Sequence, residues 1–208
     1  MWVDLSKLPN HVTDQREMKI QRSYSALITT SFDLYCIGGY YTNYLKECEC
    51  FNIESKSWNL IASLNNNSYR TTALFAYPSQ IITFGCNVTT SFEKLEIDKN
   101  GKAGNAWKSF EIANCSKRTY GAAVQLNRNE ILIFGGCGGN PEEFMIYDIS
   151  KNKLTKSAKK FINTNYFTTS KARIVNGKIY IISYYNPSKK LFKIDLKELS
   201  FVKEAVNF

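Results

Sequence analysis

Four landmarks recur four times, in one order, along this chain, and such repetition restricts it to architectures built by stacking one supersecondary unit. An arginine opens an apolar run at Arg22, Arg70 and Arg118, each 48 residues after the last, and the next position in that register is Tyr166. A second run ends in Gly38-Gly39, Gly85-Cys86 and Gly135-Gly136, and degenerates to Ser183-Tyr184. A third segment follows as Phe51-Asn52-Ile53, Leu95-Glu96-Ile97, Tyr147-Asp148-Ile149 and Ile194-Asp195-Leu196. Seven residues past the first member of that segment stands Trp58, Leu154 or Phe201. In the second unit the corresponding residue is Trp107, delayed five places by an insertion at 99–106 (K-N-G-K-A-G-N-A) that reads as a turn.

Each unit offers four short strands, here a to d, rich in Ile, Val, Tyr, Phe and Thr and bounded by Asn, Gly, Ser and Lys. In the third unit the expected strands are 119–126, 130–135, 143–149 and 153–158. Strand b is almost continuously apolar (Ile131-Leu132-Ile133-Phe134; Ile179-Tyr180-Ile181-Ile182), the pattern of a strand covered on both faces. Strand c alternates more, with Lys193 and Asp195 against Phe192 and Ile194. A four-stranded unit with two apolar faces cannot stand alone in water; stacked around an axis, such sheets bury both faces and repeat every 40 to 50 residues or so. Glycine at the end of an inner strand permits close backbone approach and a positive φ.

Gly-Gly, an aromatic residue about eleven positions on, and a tryptophan seven further resemble the kelch repeat of β-propellers. The resemblance runs over residues 22–208, firmest in units one and three and weakest in unit four. It implies an all-β, kelch-type β-propeller or propeller segment of about four blades, each of four antiparallel strands. The blades are expected at about 22–69, 70–117, 118–165 and 166–208. Residues 1–21 are expected to hold one extra outer strand and a long loop, because Trp2-Val3-Asp4-Leu5 is similar to Trp58-Asn59-Leu60-Ile61. Kelch-like propellers usually have more blades than four, so the reading favours part of a longer propeller; a ring completed by another chain, or closed by the strand at Trp2, are the alternatives.

The chain offers little that looks catalytic. Gly135-Gly136-Cys137-Gly138-Gly139-Asn140-Pro141 contains G-x-G after a strand, but a dinucleotide site needs a helix next, and 144–149 reads as a strand. Six cysteines at irregular spacing read as reduced thiols; Cys48 and Cys50 are not followed by a second pair at zinc spacing. The single histidine, His11, leaves Ser-His-Asp or Cys-His catalysis and imidazole-bound copper without support. The expectation is therefore no enzyme, no metal and no cofactor. No apolar run is long enough to span a bilayer and the first 20 residues lack a signal-peptide core, so a cytoplasmic setting is expected, with cytoskeletal association as one form of it.

Binding is easier to argue. Residues 151–208 hold 13 Lys/Arg against 3 Asp/Glu, a net of +10, whereas residues 1–150 hold 14 against 15, a net of −1. Such a block fits either a solvated flank or an acidic partner. In an up-and-down sheet the d–a and b–c loops share one end, so Arg22, Arg70 and Arg118 should ring the channel mouth beside the b–c loops. Arginine and tyrosine are favoured at interface hot spots, and guanidinium binds carboxylates in bidentate fashion. The partner-binding candidates are therefore Arg22, Arg70 and Arg118 with Tyr40, Tyr41, Tyr44, Phe92, Asn140, Tyr166 and Tyr185. Repeated arginines at strand starts also admit a structural role, bonding the carbonyls of an adjacent loop. The expected function is a protein-interaction module serving as a scaffold or structural subunit, its partners other proteins with acidic surface. Substrate recognition for a ubiquitin ligase and a basic nucleic-acid-binding surface are the alternatives.

Overall fold

In a computed structural model, which describes residues 17–30, 32–85, 92–110, 121–136, 143–160, 172–185, 188–196 and 200–204, the described residues form sixteen strands and no helix. They make four antiparallel sheets, each a meander of consecutive strands. Blade 1 is β1 (Ala26–Thr29), β2 (Asp33–Tyr40), β3 (Tyr44–Asn52) and β4 (Ser57–Ile61). Blade 2 is β5 (Thr72–Ala76), β6 (Gln80–Phe84), β7 (Phe92–Glu96) and β8 (Lys108–Phe110). Blade 3 is β9 (Ala122–Gln125), β10 (Glu130–Phe134), β11 (Glu143–Asp148) and β12 (Lys153–Lys160). Blade 4 is β13 (Ala172–Val175), β14 (Lys178–Tyr185), β15 (Ser188–Asp195) and β16 (Ser200–Glu204). The innermost strands β1, β5, β9 and β13 lie side by side around an axis and together wall a central channel, so the sheets form a ring, a four-bladed β-propeller. The segment around Trp2, expected as an extra strand, lies outside the described residues.

The continuous apolar runs of the second strands follow from this stacking. Ile81 points to blade 1, where it joins Tyr35, Ile37, Cys48, Leu95 and Trp107. Ile82 and Phe84 of the same strand point to blade 3 and meet Ile131, Ile133, Met145 and Tyr147. Leu132 and Phe134 point onward to blade 4, against Ile179, Ile181 and Ile194. A strand between two blades must be apolar on both sides, since each fully buried Ile, Leu or Phe side chain contributes roughly 1.5–3 kcal/mol.

The glycine pair of blade 1 ends β2 for the reasons its chemistry suggests. Gly38 and Gly39 have φ of +57 and +117. A Cβ on Gly38 would stand 2.7 Å from the carbonyl oxygen of Ser68, and one on Gly39 equally close to that of Ser23. That approach lets the Gly39 N–H donate to Ser68 across a 2.7 Å bond. Blade 4, which has Ser183-Tyr184 instead, has no such break: β14 runs on to Tyr185, which pairs with Ser188. The insertion in blade 2 is the expected turn, with Asp98 accepting the Asn100 and Lys102 N–H groups at 2.8 Å. It returns Trp107 to the core, where the indole N–H donates to Ala62 of blade 1 at 2.8 Å. Gly101, at the tip of this turn, accepts the Tyr35 hydroxyl at 2.8 Å, tying blades 1 and 2 again.

Three cysteines, Cys36, Cys48 and Cys50, are free and buried in blade 1. Burial pushes the Cys48 and Cys50 thiols up to about 12 and also raises Cys36. At pH 8 a thiol of that kind is about one part in ten thousand thiolate, the reactive form. Iodoacetamide at pH 8 should therefore leave these three positions unmodified in the native protein and alkylate them fully in guanidinium. Peptide mapping by mass spectrometry reads the result, and rapid native labelling of Cys48 or Cys50 would contradict the packing of blade 1.

Candidate functional site

Strand pairing corrects the 48-residue register at the arginines. Ala26 pairs Ile37, Thr72 pairs Phe84 and Ala122 pairs Phe134, so these three first residues are equivalent. Counting back four places puts Arg22 in line with Ser68 and Arg118; counting back two aligns Tyr24 with Arg70 and Tyr120. Arg22 and Arg70 thus hold different stations and have different surroundings.

Arg22 does not reach a partner surface. Its side chain is 1% exposed and its Nη2 donates to Glu49 Oε1 at 2.6 Å, the carboxylate being 0% exposed. Nη1 donates to the carbonyls of Gly38 at 2.9 Å and Glu47 at 2.6 Å. Glu49 also accepts the backbone N–H groups of Lys19 at 2.7 Å and Ile20 at 3.1 Å. Blade 2 repeats the device. Glu93, likewise buried, accepts the N–H groups of Asn65 and Asn66 at 2.8 and 3.1 Å, while the two asparagine amides take the place of the guanidinium. Each buried carboxylate pins the segment leading into its own blade, and a buried charge persists only when paired in this way. The corresponding station is Met145 in blade 3 and Phe192 in blade 4, by pairing with Ile133 and Ile181.

Arg70 is half-buried among tyrosines at the loop-bearing end of the blades. Its guanidinium stacks 4.3 Å from the Tyr69 ring centroid and 5.1 Å from that of Tyr24. Tyr69 is a hub: Tyr44 stacks on it at 5.2 Å, and Tyr24 and Tyr40 meet it edge-on at 5.2 and 5.7 Å. Tyr40 and Tyr44 also touch each other across the b–c turn, at 5.9 Å. The platform is held from below by the Ser68 N–H bond to Leu45, the Gly39 bond to Ser68, and reciprocal 2.8 Å bonds between Ser23 and Tyr40. Tyr24 and Arg70 have φ of +53 and +58, a left-handed conformation that costs a residue with a side chain about 1–2 kcal/mol. Strain of that kind is found where a side chain must be presented in one direction. Tyr24, Tyr40 and Tyr44 are 50%, 38% and 42% exposed, large values for rings in mutual contact.

Among the other expected site residues, Tyr41 is exposed on the same b–c turn. Phe92 is not at the surface: it is 1% exposed, packed edge-on against Phe84, Phe110 and Tyr147 in the seam between blades 2 and 3. It opens β7 rather than belonging to the loop before it, and strand alternation turns it into that seam. Tyr185 closes β14, where the backbone alone is described. Arg118, Asn140 and Tyr166 lie outside the described residues. Tyr24 and Tyr69 were not anticipated. The repeated R-x-Y of Arg22-Ser23-Tyr24 and Arg118-Thr119-Tyr120 was the signal for Tyr24, and the strand offset of Arg70 hid it.

Among the described residues no group of His, Cys, Asp or Glu is placed to hold a metal ion, and no helix is long and apolar enough to cross a membrane.

A four-bladed β-propeller with a tyrosine-arginine platform beside its axis is the class that fold and face define. Residues 22–65, the first blade with its flanking connections, match the Kelch motif. Kelch propellers are in general non-enzymatic protein-interaction domains. No curated protein matches the chain.

Proposed function

We propose that the chain is a scaffold or structural subunit that binds another protein through the platform of Tyr24, Tyr40, Tyr44, Tyr69 and Arg70. One observation carries this reading: four tyrosines and an arginine are in mutual contact on the face where connecting loops gather, two of them on left-handed backbone. Tyrosine offers large, rigid contact area at low entropic cost, and arginine beside it adds directed donors for carboxylates. The carboxylates beneath, Glu49 and Glu93, are already engaged by loop N–H groups. The Arg70 guanidinium at the centre of the platform suits an acidic group on the partner surface.

Alanine at Tyr44, or glutamine at Arg70, should weaken such a complex by about 30-fold each if they behave as hot spots. The direct test is affinity capture with the wild-type chain and with a Tyr44→Ala/Arg70→Gln variant whose melting temperature is checked first. Proteins retained by the wild type and released by a folded variant identify the partner. An identical set of captured proteins would refute the platform as the contact surface.

A further inference from the structure

Besides the platform, the propeller has a second concave feature, the central channel, with a volume of ≈ 470 Å³. That lies within the roughly 300–1,000 Å³ of small-molecule sites. Its wall is divided. Toward the loop-bearing face it offers Tyr24, Arg70 and Thr71, and farther along the strands it offers Leu27, Phe75 and Ile174 with Arg173 beside them. Leu27 and Ile174 are 44% and 36% exposed although they sit on innermost strands. In a concave site, such surface is covered at little cost by an apolar body that enters it.

The charge of the wall is equally one-sided. Arg70 and Arg173 both contribute to it, and among the described residues no Asp or Glu does. Arg173 occupies a station that the other blades fill differently. By pairing with Tyr35, Ile82, Leu132 and Tyr180, the equivalent residues are Ile28, Leu74, Val124 and Arg173. Ile28 and Val124 are buried in apolar seams, whereas Arg173 is exposed in the channel. A charged residue at the one departure from an otherwise apolar station marks a place where packing has given way to another use. Two guanidinium groups in a narrow wall also focus positive potential into it.

We propose that the channel is a binding site for a carboxylate carried on an apolar stem, the carboxylate held by Arg173 and the stem lying against Leu27, Phe75 and Ile174. The source of that group is either a small organic acid or the C-terminal residue of a protein, since both present the same chemistry. The channel shares Tyr24 and Arg70 with the platform, whereas Tyr40, Tyr44 and Tyr69 take no part in its wall, so Arg173 and Tyr44 are the positions that tell the two sites apart.

The test is isothermal titration of the full chain with octanoate, with octanol as its neutral counterpart, and with a short peptide ending in leucine as free acid or as amide. Octanoate, the free-acid peptide, or both should bind, each at least tenfold more tightly than its uncharged counterpart, as expected when a charged hydrogen bond is lost. Arg173→Gln should reduce that affinity about tenfold without shifting the melting temperature, and Tyr44→Ala should leave it unchanged. Binding by octanoate alone assigns the site to free acids; binding by the peptide alone assigns it to chain ends. Octanol and the amide matching their acids, no binding by either acid at millimolar concentration, or full affinity in Arg173→Gln would each overturn the proposal. Loss of channel binding with capture intact leaves the platform standing, and the reverse leaves the channel standing.

Discussion

Alanine in place of Arg22 should lower the unfolding free energy by about 3–5 kcal/mol in urea denaturation, the cost of leaving a buried carboxylate without its charged partner. The guanidinium is enclosed, carries four hydrogen bonds, and joins the segment before β1 to the ends of β2 and β3. Arg22→Lys should recover only part of the loss, because a single ammonium cannot reach Glu49 and the carbonyls of Gly38 and Glu47 from one position. An apolar pair at Arg22 and Glu49 should not restore stability either, as it would strand the N–H groups of Lys19 and Ile20. If Arg22→Ala unfolds within about 0.5 kcal/mol of the wild type, the scale of an ordinary surface substitution, the buried pair is not what fixes this segment.

Phe92→Ala should be as damaging, at about 3–5 kcal/mol. Three rings lose their shared neighbour and the seam between blades 2 and 3 gains a void. For a chain of this size the melting temperature should fall on the order of 10 °C. Partner capture by the molecules that remain folded should be unaffected, because the platform belongs to blades 1 and 2. A variant that melts normally but loses the partner would return Phe92 to the surface role its sequence position suggested.

The contrast between these residues shows where the sequence is legible. Strand b could be read because Ile131-Leu132-Ile133-Phe134 is filled on both faces by neighbouring blades, and no other environment tolerates such a run. The turn at 99–106 could be read because glycine and asparagine cluster there and the periodic Trp107 is displaced by its length. The roles of Glu49 and Glu93 could not. In a strand that alternates, a glutamate looks like a solvent-facing residue. What buries it is a loop 27 to 30 residues away that supplies its N–H groups. The platform was partly legible: Tyr40, Tyr44 and Arg70 come from composition and loop position, while Tyr24 and Tyr69 require the pairing register. Arithmetic at 48 residues averages intervals of 46 and 50 between equivalent positions, Ala26 to Thr72 and Thr72 to Ala122, so it equates Arg22 with Arg70 wrongly.

The three apolar seams among the described residues are also unlike one another. The first is filled with thiols, an indole and aliphatic groups. The second holds an interlocked set of rings, Phe84, Phe92, Phe110 and Tyr147. The third is largely branched aliphatic, with Phe134 and Phe144. Repeats that had stayed identical could dock in any order, and with those of a neighbouring chain during folding, which is a familiar failure of repeat proteins. Here blades 2 and 3 each carry one surface that fits the preceding blade and another that fits the next. The seams therefore act as an address, and exchanging blades 2 and 3 within the chain should give an insoluble product although every blade would keep its own strands.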